Sequence, residues 1–457
     1  MRTYKLLVWV FAILGILEIS AFAQKIDEVH YDESKVPKYT LPDPLICLDG
    51  TRVTTPEQWT QKRRPELFNL FVQEMYGELP ESLKQDHPPF VSAELMEREE
   101  NALDGTAIRK QVALHFFRPN DVEQAAVSAT DPIRKTQESL EFQEAGEDSK
   151  DCLTVNVLIY LPKKAEKPVP CFLMMNFRGN QTIWNDPNIF MSESFENGNV
   201  PEEKKHGIRV NRWDVDQILA AGYGLITLYY ENLVPDSNEG FNKGLFALYG
   251  KPEKPSDWAQ ITAWAWGLSR VMDYIETDQE IDATRIAVAG HSRLGKTALW
   301  AGASDPRFAL VISNDSGCGG AALSRREFGE RVITMNKTLA RWFCKNYDKY
   351  GKDVSKLPFD QHELIALIAP RPVYIASAQE DLWADPKGEY LAALNAVSVY
   401  KLLGTDAFGG VTSGELPELN KQIGGTIGYH IRTGKHDVTD FDWTQYIRFA
   451  DKHFKQK

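Results

Sequence analysis

The chain has 457 residues, of which 25% are charged, with a formal net charge of −12. That acidity excludes nucleic acid and anionic membrane surfaces as partners. The length exceeds a minimal domain, yet α/β folds accept long insertions within one domain.

The first residues, Met1-Arg-Thr-Tyr-Lys5, are basic; Leu6 to Leu17 is apolar, and Ala21-Phe-Ala23 follows. This is the pattern of a cleavable export leader over 1–23. The apolar run is too short for a membrane span, and Glu18 interrupts it. No cysteine lies beside the cut, so a lipid anchor is not indicated. The expected mature protein is soluble, secreted or periplasmic, without a membrane span. The leader carries Arg2, Lys5 and Glu18, a net +1, so the remainder stands at −13.

Residues 24–45, punctuated by Pro37, Pro42 and Pro44, read as an extended lead-in to a catalytic domain over 46–457. Thr55-Pro-Glu57 starts a helix in capping style that should reach Met75 and stop at Tyr76-Gly77. Strands are expected near Phe90–Leu95 and Arg109–Phe117, and 118–151, charged and poor in large apolar groups, reads as a surface insertion. A regular rhythm follows. Leu153–Leu161 and Val169–Asn176 are strands, Trp213–Ala221 a helix, and Gly224–Tyr230 a strand. A long helix is expected at Asp257–Glu276, then the strand Ile286–Ala289 with a helix after it, and the strand Phe308–Ser313. Residues 324–361 are variable and partly helical. Pro372–Ala378 is a strand, Pro386–Leu403 a helix, Gly428–Ile431 a strand and Trp443–Phe454 a closing helix. Strands alternating with helices in this way predict a mostly parallel sheet covered on both faces.

The five cysteines, Cys47, Cys152, Cys171, Cys318 and Cys344, show no C-x-x-C spacing. No zinc site or disulfide scaffold is implied, and an odd count leaves at least one thiol unpaired. The 11 tryptophans suit a sugar-binding surface, but most fit an ordinary large core.

The chemistry centres on Gly290-His-Ser-Arg-Leu-Gly-Lys296, between the strand Ile286–Ala289 and an Ala- and Leu-rich helix. With Thr297 the segment matches the phosphate loop G-x-x-x-x-G-K-[ST]. It also displays Ser292 at a sharp strand-to-helix turn, though Leu294 departs from the commoner G-x-S-x-G. A phosphate loop follows the first strand of its domain, whereas about five candidate strands precede Gly290. Nucleoside triphosphate is also scarce outside the cell. The context favours a nucleophilic serine in an α/β-hydrolase.

That fold orders its partners as serine, acid, histidine. After Ser292 come His362, His430, His436 and His453. His436, in the loop after the last strand, is preferred; His430 lies within that strand and reads as buried. Two acids remain open: Asp381, after the strand Pro372–Ala378, and Asp315, after the preceding strand. Either aspartate has a plain alternative as a turn former, Asp437 as a helix cap, and alternation turns Glu380 away from Asp381. The Arg293 amide is an expected oxyanion donor, and the loop Phe177–Gln181 is a candidate for the other. Lys296 sits one helical turn beyond Ser292, its ammonium either leaning towards the serine and substrate or solvated.

These residues resemble the glucuronoyl esterases, carbohydrate esterase family fifteen, in their bacterial form. The matching motifs are Gly290-His-Ser-Arg-Leu-Gly-Lys296, Asp315-Ser-Gly-Cys-Gly-Gly320, Glu380-Asp-Leu-Trp-Ala-Asp-Pro386 and Gly434-Lys-His-Asp437, over about residues 150–450. The resemblance implies Ser292 as nucleophile, Arg293 in the oxyanion hole and His436 as base. It also implies that Lys296, Glu330 and Trp383 hold a glucuronate. Fungal members place a catalytic Glu where Asp315 stands; bacterial members more often use the position of Asp381. The implied reaction is hydrolysis of esters of (4-O-methyl-)glucuronate, as in lignin–xylan linkages, through an acyl-enzyme, by a monomer needing no metal or cofactor. The alternatives are a xylan deacetylase and a non-catalytic carbohydrate-binding relative.

Overall fold

Large apolar residues occupy both alternating sets of positions along the central strands, as a sheet covered on both sides requires. The computed structural model describes residues 29–85, 88, 91–119, 152–192 and 206–455. The expected leader 1–23 and residues 120–151 of the expected insertion lie outside the described residues.

Ten strands among the described residues form one sheet. They are β1 (Val91–Asn101), β2 (Ala107–Phe117), β3 (Cys152–Pro162), β4 (Val169–Met174), β5 (Gly224–Leu228), β6 (Ile281–His291), β7 (Leu310–Asn314), β8 (Val373–Ala378), β9 (Ile423–Gly424) and β10 (Ile427–Arg432). Their spatial order is β1-β2-β3-β5-β4-β6-β7-β8-β10-β9. From β5 to β10 every pairing is parallel. β1, β2 and β3 form an antiparallel extension, and β9 closes the other edge antiparallel. This is an α/β-hydrolase sheet.

Alternation divides the interior into two cores. Ile286 and Val288 of β6, Leu173 of β4 and Ile375 of β8 face one core, with Trp264, Leu268 and Leu299 from the helices Gln260–Ile275 and Arg293–Ser304. Ala287, Ala289, Phe172 and Tyr374 face the other, against Trp443, Tyr446 and Phe449 of the closing helix Asp440–Phe454. Each buried aromatic is worth about 2–3 kcal/mol of transfer energy, so either layer alone would be an aggregation-prone face.

Several boundaries differ from the sequence expectation for physical reasons. β1 runs past Leu95 to Asn101 because β2 pairs it through Arg98–Lys110 and Glu99–Arg109. Its charged residues conceal a strand held by backbone pairing and by bridges such as Arg109–Glu97 at 2.8 Å. The helix expected from Asp257 starts at Gln260, because the Asp257 carboxylate accepts from the Glu253 and Lys254 amides and holds a turn. The stretch 386–403 breaks at Ala396 into Pro386–Asn395 and Val397–Leu402. The helical run from Pro56 to Tyr76 has the expected cap, with Thr55 and Gln58 exchanging hydrogen bonds, and includes two π segments. It ends at Gly77, φ +91°, where a Cβ would lie 2.3 Å from the Asp257 carbonyl. The described part of the lead-in, 29–45, is extended apart from the turns at Glu33–Lys35 and Pro44–Leu45, and is fastened by Gly329 N–H donating to His30 O at 2.9 Å. All five cysteines are free thiols.

Candidate active site

β6 ends at His291, and the helix Arg293–Ser304 begins two residues later, so Ser292 alone makes the turn. Its backbone sits at φ 57°, ψ −129°, a strained conformation that costs on the order of 1–3 kcal/mol. Two features hold it. Ser292 N–H donates to Asn314 O at 2.9 Å, continuing the β6–β7 register, and the Lys296 and Gly295 amides bond to Ser292 O. Gly290 is required because a Cβ there would stand 1.9 Å from the Leu294 carbonyl. The neighbouring His291 is buried with Nδ1 2.5 Å from Asn314 Oδ1. Burial and the adjacent His436 hold its pKa well below the usual imidazole value, so it stays neutral.

Two loops bring an imidazole and a carboxylate together. Gln379 N–H donates to Arg432 O and Glu380 N–H to Gly434 O, which ties the loop after β8 to the loop after β10. Arg432 donates to the carbonyls of Thr433, Lys435 and Asp437, on both sides of His436. The result places His436 Nδ1 2.5 Å from Asp381 Oδ2, with the carboxylate buried and the ring part-exposed. A carboxylate on Nδ1 holds the imidazole in the tautomer whose Nε2 is free to accept a proton.

Asp315 ends β7 in the left-handed region, φ 45°, and its Oδ1 accepts the Ala378 amide at 2.8 Å. One of its oxygens lies within 4.8 Å of the ligand atoms of Asp381 and His436. Arg432 stands 3.7 Å from Oδ2, but its stronger pairing, 2.8 Å, is with Asp442. Burial, with Glu389 and Asp381 nearby, raises the Asp315 pKa well above the carboxylate range. His430 has both ring nitrogens engaged, by Tyr374 Oη at 2.7 Å and Asp442 at 2.9 Å, and is sealed in the core. Asp437 bridges Arg212, while Thr439 supplies the helix cap. Glu380 is exposed.

Lys296 neither reaches out to solvent nor leans freely over the serine. It is 2% exposed and donates to Ser316 O (2.5 Å), Cys318 O (2.7 Å) and Glu330 Oε2 (2.7 Å). All three of its donors are thus committed inside the protein. Glu330 is brought there by its own amide, which donates to Trp383 O at 2.7 Å. Lys296, Ser316 and Glu330, with Ser292, Arg293, Asp381, Trp383 and His436, line a cavity of about 380 Å³. A second cavity of about 410 Å³ adjoins it, lined by Phe177, Arg178, Arg209, Arg212, Trp213 and Tyr230, and it also reaches Ser292 and His436. In the loop Phe177–Gln181 the Arg178 and Gly179 amides turn onto Asn176 Oδ1, at 3.4 and 2.8 Å. Those two amides therefore do not point at the serine.

The Arg293 guanidinium stacks over the Trp342 ring at 4.9 Å and pairs with Asp236, which Arg341 and the Trp342 indole also hold at 2.7 Å. Sequence reading missed Asp236, Arg432 and Glu389. Glu389 is fully buried, accepts from the Ser316 and Gly317 amides and the Ser377 hydroxyl, and has its pKa raised to about 8, chiefly by burial. None carries a local motif, because each acts on a segment distant in sequence.

A family description, glucuronyl esterase of fungi, matches residues 192–404. Carbohydrate esterase MZ0003, from an unknown prokaryotic organism, is 48% identical over 93% of this chain and 92% of its own. The solved structure of a promiscuous CE15 esterase from a marine bacterial metagenome is 45% identical, with TM-score 0.79, over 93% of this chain and 100% of that one. The chain belongs to carbohydrate esterase family 15. The glucuronoyl esterase from Solibacter usitatus is similar in the same way, 42% identical with TM-score 0.79 over 93% of this chain and 100% of that one. The protein is accordingly a carboxylic ester hydrolase. No helix among the described residues of this esterase is long and apolar enough to cross a membrane.

Proposed function

We propose that the esterase cleaves esters of the glucuronate carboxyl group through a Ser292 acyl-enzyme, releasing the alcohol and then the sugar acid. The observation that carries this reading is where the strained Ser292 turn and the hydrogen-bonded His436–Asp381 pair sit. Both border a cavity that offers a buried Glu330 carboxylate and an indole face, Trp383, beside the reacting atoms.

His436 takes the Ser292 proton as the hydroxyl attacks the ester carbonyl, and Asp381 stabilises the imidazolium that forms. The Arg293 amide, at the start of its helix, donates to the developing oxyanion, and the Arg293 side chain held by Asp236 and Trp342 adds positive potential. The imidazolium returns its proton to the departing alcohol. Water, activated by the same ring, then hydrolyses the acyl-enzyme. In the sugar cavity Glu330 accepts from ring hydroxyls and Trp383 covers an apolar sugar face. Lys296 acts indirectly, fixing Glu330 and the Ser316–Cys318 loop rather than spending a donor on the sugar. The leader and the acidic charge support an exported monomer acting on glucuronoxylan esterified to lignin alcohols, without metal or cofactor.

The test compares benzyl glucuronate with acetylated xylose and p-nitrophenyl acetate. Ser292→Ala should lower kcat on the glucuronate ester by roughly 10³-fold or more, and a fluorophosphonate should label Ser292. Comparable kcat/KM on acetyl and glucuronate esters would favour the deacetylase reading instead.

A further inference from the structure

The two cavities share three lining residues, Ser292, Arg293 and His436. An ester bound with its carbonyl at Ser292 must send its acyl part into one and its alcohol into the other. If glucuronate occupies the Trp383 side, as the proposed function has it, the second cavity is the alcohol site.

Its chemistry is unlike that of the surrounding protein. In a chain of net charge −12, Arg178, Arg209 and Arg212 converge on this one cavity. Arg212 is paired with Asp437 at 2.5 Å. Arg178 and Arg209 have no acidic partner within ion-pair distance among the described residues. The cavity's own acid, Glu231, accepts from the Tyr229 and Tyr230 hydroxyls and from the Asp236 amide at 3.1 Å and pairs with neither guanidinium. Arg209 feels the crowding, since burial and the two neighbouring guanidinia lower its pKa, with only the already paired Asp437 opposing them. Phe177, Trp213 and Tyr230 supply aromatic wall beside these cations. Two guanidinia without an ion-pair partner, beside the paired Arg212 in a concave, part-aromatic site, form an anion subsite, and guanidinium matches a carboxylate or sulfonate edge-on.

We propose that this cavity binds the alcohol portion of the ester and selects alcohols that carry an anionic group, a carboxylate or sulfonate on a ring about one benzyl unit from the ester oxygen. The protein's overall negative charge works against any anion, so a preference for one must come from this local cluster.

The experiment uses the full chain and two matched pairs of esters. Benzyl and 4-carboxybenzyl glucuronate form one pair; benzyl and 4-carboxybenzyl acetate form the other, with the 4-sulfonate analogues as further anionic members. For wild type the ratio of kcat/KM, anionic over neutral, should be about tenfold at low salt and fall towards one in about 0.5 M salt. In the double variant Arg178→Gln, Arg209→Gln the low-salt ratio should also fall to about one, whatever happens to the absolute rates. A wild-type ratio at or below one, or a ratio unchanged in the double variant, overturns the proposal. If the glucuronate pair is not turned over and the acetate pair is, the glucuronate reading fails, while the acetate ratio still decides the anion subsite. Calorimetric titration with benzoate gives a readout that needs no turnover. Binding that is salt-sensitive and lost in the double variant supports the subsite, and absence of binding to wild type counts against it.

Discussion

Asp381→Asn, set beside Asp315→Asn, separates the two carboxylates that crowd His436. The Asp381 carboxylate is buried and receives the His436 Nδ1 proton across 2.5 Å. An amide of the same shape either clashes with that proton or forces the other tautomer, which turns the catalytic lone pair away from Ser292. A loss of about 10³–10⁴-fold in kcat is expected, equivalent to about 4–5.5 kcal/mol of barrier. Asp315 is the informative contrast. A full negative charge within 4.8 Å of a ring nitrogen, with an effective dielectric near 20, would be worth about 3.5 kcal/mol or more to the imidazolium. Burial and its acidic neighbours push the Asp315 pKa well up, which disfavours the charged form and takes away part of that energy. Asp315→Asn should therefore lower kcat by no more than about tenfold, since the asparagine oxygen can still accept the Ala378 amide. Steady-state kcat on benzyl glucuronate, with thermal melts to verify folding, measures both variants. Equal losses, or a larger loss for Asp315→Asn, would refute the reasoning, as would an undiminished Asp381→Asn enzyme.

The buried carboxyls set a pH dependence of stability. Glu389, raised to about 8 in the folded state, keeps a proton that the unfolded chain releases near its usual value. Its contribution is full below about pH 4.5 and is lost as pH rises towards 8. Glu389→Gln, keeping an acceptor for the Ser316 and Gly317 amides, should flatten the decline in melting temperature over that window; an unaltered profile contradicts this. Some slope should survive, because burial raises Glu363 to about 8 as well. Lys296→Ala would leave Glu330 and two carbonyls buried without their donor, costing about 3–5 kcal/mol. Its melting temperature should drop by several degrees, and Lys296→Met combined with Glu330→Gln should recover part of the loss. A melt within about a degree of wild type would place Lys296 in solvent instead.

Much of this protein could be read before folding. The mostly parallel sheet follows from strand–helix alternation, and the Ser292 turn from an apolar strand that meets a helix at Gly290. Both are local in sequence, set by residues within a few positions of one another. The preference for His436 over His430 rested on the same ground, since a residue inside an apolar strand is buried and one in the loop after it is not. What folding decided lies wherever groups distant in sequence compete for one partner. Lys296 reads as a surface or substrate lysine until Glu330 and the carbonyls of Ser316 and Cys318 arrive to take its three donors. Asp315 and Asp381 both read as candidates, with only the fold's usual strand order favouring Asp381, because nothing local shows that one receives the imidazole proton while the other is sealed under Arg432 and beside Glu389. The arginines at 178, 209 and 212 fall on two separate loops, and only the closing of those loops around Ser292 turns them into one charged cavity. Propensity and periodicity act over a few residues, while hydrogen-bond commitment and desolvation depend on neighbours that only the tertiary fold supplies.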